Sequence, residues 1–119
     1  MDLKKPKALP QGGTIGIIAP AGPVNQKSVD AGEAKLRAAG FRTLRRTDLT
    51  DCCGYFAGSD ARRAAEFMEF VCDERVDAIF CARGGYGSAR ILARLDAAIV
   101  RAAAKPLIGY SDATTLLLW

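Results

Sequence analysis

The chain has 119 residues, half of them hydrophobic and a quarter charged, the size and make-up of one globular domain. Its net charge of +4 is modest, and the positive residues (Lys4, Lys5, Lys7, Arg42, Arg45, Arg46, Arg62, Arg63) form no stripe interleaved with aromatics, so no nucleic-acid partner is expected. No apolar run approaches a membrane span, and the basic N-terminus leads into Pro6 and Pro10 instead of an apolar signal core; a cytoplasmic location without a membrane partner follows as the expectation.

In chain order, residues 1–12 read as a flexible lead-in and residues 13–119 as an α/β domain. Thr14-Ile15-Gly16-Ile17-Ile18-Ala19 is a β-branched run closed by Pro20 and Gly22, the pattern of a buried strand ending in a loop. Asn25 can cap a helix reaching about Ala39, with Val29, Leu36 and Ala39 turned inward and Gly40 as its stop. Phe41 to Leu44 fits a second strand, and the aperiodic stretch from Thr47 to Gly58 reads as loop. Ser59 then caps the clearest helix. Ala64, Phe67, Met68, Val71 and Cys72 recur there at helical spacing, with Arg62, Arg63, Glu66, Glu69 and Asp73 on the other side.

Val76 to Ala82 is a third strand, flowing into Arg83-Gly84-Gly85-Tyr86-Gly87. A helix from about Ser88 places Ile91, Leu92 and Leu95 on one face, and Asp96 restarts or continues helix to Ala103. Pro106-Leu107-Ile108 makes the fourth strand, and Asp112 opens the last helix. Strands alternating with helices of this length imply parallel pairing through right-handed crossovers. The expected fold is therefore α/β: an open, mostly parallel sheet with flanking helices, of the Rossmann or flavodoxin type.

Cys52, Cys53, Cys72 and Cys81 include no C-x-x-C pair, and the sequence has no histidine, so neither a metal site nor a cofactor is expected. Cys72 on a helix's apolar face and Cys81 at a strand end read as small buried hydrophobes, and all four as free thiols.

Sites of open parallel sheets lie beyond the carboxyl ends of the strands. Three loops leave such ends here: Ala19-Pro20-Ala21-Gly22-Pro23, Arg83-Gly84-Gly85-Tyr86-Gly87 and Gly109-Tyr110-Ser111-Asp112. The diglycine loop offers bare N–H groups to an anionic oxygen, or is a tight turn needing positive φ twice; spacing alone does not choose. It is neither a Walker loop nor a full G-x-G-x-x-G. Ser111 stands where a strand hands over to a helix, so its hydroxyl is exposed on a sharp turn with the next N–H groups aimed at whatever it attacks. A serine before Asp112 and an apolar run is also an ordinary helix cap. Gly109 and Ala113, small on both sides, favour the strained turn, a G-x-S-x-G pattern with alanine in last place. A serine hydroxyl needs a base, and no histidine is present to serve.

Four segments taken together, Thr14 to Pro20, Gly58-Ser59-Asp60, Ile79 to Ser88, and Ile108-Gly109-Tyr110-Ser111-Asp112, resemble the N-terminal domain of the LD-carboxypeptidase family of serine peptidases. That family includes muropeptide LD-carboxypeptidases and microcin-immunity peptidases. The resemblance implies Ser111 as nucleophile and the backbone N–H groups of Asp112 and Gly85 as oxyanion hole, with Gly84 the further candidate. Gly84, Arg83 and Tyr86 are then expected against the substrate, Arg83 either contacting a substrate carboxylate or bracing its loop. Further implications are a murein peptide or related peptidyl substrate cut at an L,D-amide to release a terminal D-amino acid, no cofactor, and a homodimer of the full-length protein. The triad's glutamate and histidine would lie in a C-terminal domain absent from this chain, leaving the chain alone inactive. The competing expectations are a non-catalytic Rossmann-like module holding a phosphate or carboxylate, and an assembly module that lends its sheet to a partner.

Overall fold

Four short strands pair side by side in parallel and set the frame for everything else. A computed structural model describes residues 2–119. The elements are β1 (Thr14–Ile18), α1 (Gln26–Ala38), β2 (Arg42–Leu44), α2 (Asp60–Cys72), β3 (Ala78–Cys81), α3 (Ser88–Ile91) continuing as a 3₁₀ turn over Leu92–Arg94, α4 (Ala97–Ala103), β4 (Leu107–Ile108), a 3₁₀ turn at Ser111–Ala113, and α5 (Thr114–Leu118). The sheet order is β2-β1-β3-β4, and one row across it reads Leu44, Gly16, Ile79, Leu107. The α/β expectation holds.

Side chains alternate across a strand, so the adjacent Ile17 and Ile18 enter different cores. Ile18 joins Phe67, Phe70, Val71, Ile79, Ile91 and Leu116, while Ile17 joins Ala19, Val29, Leu49 and Ala57. The two caps read from the sequence form as expected, Asn25 accepting from the Ser28 N–H at 3.2 Å and Ser59 from Arg62 at 3.0 Å, and Asp96 restarts helix as a third cap, accepting from the Ile99 N–H at 3.0 Å. The aperiodic stretch before α2 is a loop with one antiparallel bridge, Cys53 to Phe56, and it contributes Leu49 and Ala57 to the core. Residues of the N-terminal segment lie along α4, where the Lys7 N–H donates to the Ala104 carbonyl at 3.1 Å.

Three expectations about helix faces fail. Cys72 is exposed at the end of α2, and Phe70 takes the core position instead. Ala39 is likewise exposed. More consequentially, Arg62, Arg63 and Glu66 are buried instead of lining a polar side. The reason is tertiary: α2 is enclosed by β1, α3 and α4 together, so its buried arc is far wider than one apolar stripe. Among the described residues no helix is long and apolar enough to cross a membrane.

Candidate active site

The turn after β4 is short because Gly109 lets it be: a methyl group there would sit 3.0 Å from the Cys81 sulfur and 3.1 Å from the Ala113 methyl. Tyr110 is extended, and Ser111 follows with φ of +57°, in the left-handed region that costs a non-glycine residue about 1–2 kcal/mol. Ala104 is the other described non-glycine residue with positive φ. The cost at Ser111 is offset by its surroundings, and the side chain it presents is exposed.

Gly84 faces this serine directly. A methyl built on Gly84 would lie 2.7 Å from the Ser111 Cβ and 2.9 Å from its Oγ, so only glycine fits there. The Gly84 carbonyl accepts from the Gly22 N–H at 3.0 Å. Because the peptide that follows is trans and planar, the Gly85 N–H points the opposite way from that carbonyl, away from Gly22. Neither the Gly85 N–H nor the Asp112 N–H donates to a carbonyl or side chain among the described residues. Two amides without an internal acceptor thus lie in the loop facing Ser111 and in the residue that follows it.

Ser88 and the side chain of Asp112 were not singled out by the sequence reading, yet they join the two loops. The Asp112 carboxylate accepts from the Ser88 N–H at 2.9 Å, and the Ser88 hydroxyl donates to the Asp112 carbonyl at 2.6 Å. Ser88 is fully buried. A carboxylate at the start of α3 is where the helix's free N–H groups favour negative charge, which is the only local signal that pointed to this pairing.

Arg83 donates to the Pro23 carbonyl at 2.9 Å and lies flat against Gly22, so it braces the first loop against the second. Tyr86 is two-thirds exposed and meets Tyr55 edge-on, ring centroids 6.1 Å apart. Both rings stand at the rim beside the diglycine segment.

Beneath the loops, α2 supplies three buried charged side chains. Glu66 accepts from the Ala19 N–H at 2.7 Å, while Arg62 donates to the carbonyls of Ala57 at 2.8 Å and Ala19 at 3.2 Å. Arg62 and Glu66 are also an ion pair at 2.8 Å, although that contact lacks hydrogen-bond alignment. Burial pushes the Glu66 carboxyl up to about 7, against the opposing pull of Arg62 and the Ala19 N–H. At the end of β3, burial raises the Cys81 thiol to about 12, so it stays protonated and is no nucleophile. Arg63 donates to the carbonyls of Pro20 at 3.0 Å and Gly87 at 2.7 Å and pairs with Asp60. Two arginines in the first turns of a helix run against its dipole, a sequence signal that they were recruited for something other than helix stability.

Fold and site together define an α/β domain that presents a serine on a strained strand-to-helix turn packed against a neighbouring glycine loop. The model of the LD-carboxypeptidase N-terminal domain matches residues 15–119, and the chain belongs to that family. It is 41% identical over 112 residues to a probable murein peptide carboxypeptidase of Bacillus subtilis, covering 94% of this chain and 35% of the relative. Among solved structures, an MccF-like protein from Bacillus anthracis superposes with a TM-score of 0.89 at 28% identity, over 96% of this chain and 36% of that one. A muramoyltetrapeptide carboxypeptidase from Oxalobacter formigenes gives a TM-score of 0.79 at 30% identity, over 87% of this chain and 34% of that one. The chain therefore spans about a third of the length of the curated relatives it matches.

Proposed function

We propose that this chain carries the nucleophile and the oxyanion hole of a serine LD-carboxypeptidase that releases a terminal D-amino acid from murein tetrapeptide. The observation that supports it most is the exposed Ser111, held at a left-handed φ against Gly84, with the Gly85 and Asp112 amides next to them left without an internal partner. In this reading Ser111 Oγ attacks the carbonyl carbon of the L,D-amide. The oxygen that becomes negative accepts from the Gly85 and Asp112 N–H groups, each worth roughly a hundred- to thousandfold in rate. The base that takes the serine proton returns it to the amine nitrogen as the C–N bond breaks and the acyl-serine forms, and water then hydrolyses the ester.

A base must take the serine proton, and the 119 residues hold no histidine. The glutamate and histidine of the triad are assigned to a C-terminal domain, with residues 13–119 as the nucleophile domain and the cleft between the two. The isolated chain is accordingly inactive. Tyr86, next to Gly85, meets the substrate as it enters, and Arg83 serves by bracing its loop. A cytoplasmic, homodimeric full-length enzyme completes the proposal.

The test is fluorophosphonate labelling and peptide mass spectrometry of the chain joined to the C-terminal two-thirds of its Bacillus subtilis relative. A single adduct on Ser111 is expected, together with D-amino acid release that Ser111→Ala abolishes. An adduct on another residue overturns the assignment. Calorimetric binding of nucleotides or sugar phosphates by the chain alone would favour a non-catalytic module instead.

A further inference from the structure

We propose that Arg63 is a positioning residue for this site: its guanidinium fixes the diglycine loop relative to Ser111 by holding one peptide unit of that loop from behind. The proposal rests on the reading of Ser111 as nucleophile. Arg63 has no exposed surface, and a single nitrogen, Nη1, donates to carbonyls of two different loops, Pro20 after β1 and Gly87 after β3. The Gly87–Ser88 peptide unit is gripped at both ends. Its carbonyl goes to Arg63, and its N–H goes to the carboxylate of Asp112, the residue after Ser111. A continuous chain of short contacts therefore runs from α2 through the diglycine loop to the nucleophile turn.

The other end of the loop is tied to the same arginine. Pro20 stands two residues before Gly22, whose N–H holds the Gly84 carbonyl and so sets the direction of the Gly85 N–H. Gly87 itself has φ of +104°, and a methyl there would come within 2.6 Å of the Phe56 ring. That ring lies 5.0 Å from the Arg63 guanidinium and closes it off from solvent. Asp60 supplies the counter-charge.

A purely structural arginine would not need this arrangement. Burying a guanidinium is costly, and a hydrophobic side chain of similar volume usually serves a core at least as well. What an apolar side chain cannot do is donate to two loop carbonyls at once. Arg90 offers the internal control: its exposed side chain shares Asp60 and the Phe56 ring with Arg63 but bonds neither loop carbonyl, and the backbone N–H it gives to the Gly87 carbonyl at 3.1 Å is kept in Arg90→Ala.

The experiment compares Arg63→Lys, Arg63→Gln and Arg90→Ala with the parent chain by amide hydrogen exchange. In the two Arg63 variants, exchange at the Ser88 and Gly22 amides, whose N–H groups donate to the Asp112 carboxylate and the Gly84 carbonyl, is expected to rise by about tenfold or more, with β1 and β3 unchanged. In the protein joined to the C-terminal part of its relative, the same variants lower kcat by about tenfold or more and leave KM within about threefold, because the donors are displaced and not the binding surface. Arg90→Ala changes neither. Unchanged loop exchange in both Arg63 variants overturns the proposal, as does exchange that rises equally across the sheet, or a loss confined to KM. If loop exchange rises but the parent protein takes no adduct on Ser111, the assignment of Ser111 falls while Arg63 stands as the clamp of this loop; the two failures are thus distinguishable.

Discussion

α1 and α2 are both 13 residues long and both begin on a side-chain cap, yet they treat charge in opposite ways. α1 buries only Val29 and Glu33, and its charges pair with side chains at its outer edge, Glu33 with the exposed Arg37 and Asp30 with Arg45. α2 buries seven residues, and Arg62, Arg63 and Glu66 spend their polar atoms on backbone groups at the carboxyl edge of the sheet. One helix covers the sheet. The other anchors the loops that carry the chemistry, and its buried ions are costly in stability unless every partner stays in place.

The largest effect expected from this contrast is at Arg62. Arg62→Ala leaves Glu66 in the interior without its counter-charge, and should lower stability by about 3–5 kcal/mol in urea unfolding at pH 8. A loss under about 1 kcal/mol would place the pair among ordinary surface contacts like those of α1.

The second effect is a pH dependence of defined sign. The Glu66 carboxyl is raised from its ordinary value of 4.5 to about 7 in the folded chain, so the native state binds more protons than the unfolded one between those limits. Its contribution is fully present below about pH 4.5 and is lost as pH climbs through 7, at most about 1.4 kcal/mol per pH unit. Urea midpoints measured from pH 5 to 8 should fall for the parent chain, and the fall should flatten in Glu66→Gln. Equal slopes in the two proteins would remove Glu66 as the cause.

Third come the caps. Ser59→Ala and Asn25→Ala each lose one bond to a helix N-terminus and should cost about 1 kcal/mol. Ser59→Ala should also loosen the diglycine loop in hydrogen exchange, because α2 holds it, whereas Asn25→Ala should not. The smallest effect belongs to Arg37→Ala on the outer side of α1. Its pair with Glu33 is mostly exposed on the arginine side, so thermal melting should show a change of no more than about 0.5 kcal/mol.

The element order was legible in the sequence because each strand and helix announces itself locally. A β-branched run marks Thr14 to Ile18, an apolar one marks Ala78 to Cys81, and Asn25 and Ser59 stand where caps must stand. The small neighbours of Ser111 foretold its turn for the same reason, since crowding at Gly109 is a matter of a few residues. What local pattern cannot hold is partnership. The position of β2 at one edge of the sheet has no signature in residues 42–44. A helical wheel places Arg62, Arg63 and Glu66 by polarity, but their burial is decided by β1, α3 and α4. Likewise, Asp112 was read for its backbone N–H alone, and its carboxylate acquires a task only once Ser88 lies beside it.

The central claim is that the Gly85 and Asp112 amides converge on whatever oxygen Ser111 carries. It is tested most directly by recording amide proton shifts before and after phosphonylation of Ser111 in nitrogen-15-labelled protein, joined to the C-terminal part of its relative. Both amides should move downfield together as they donate to the phosphonyl oxygen, with the amides of α1 unchanged. If Ser111 is modified and neither amide moves, the donors do not face the nucleophile and the account is wrong.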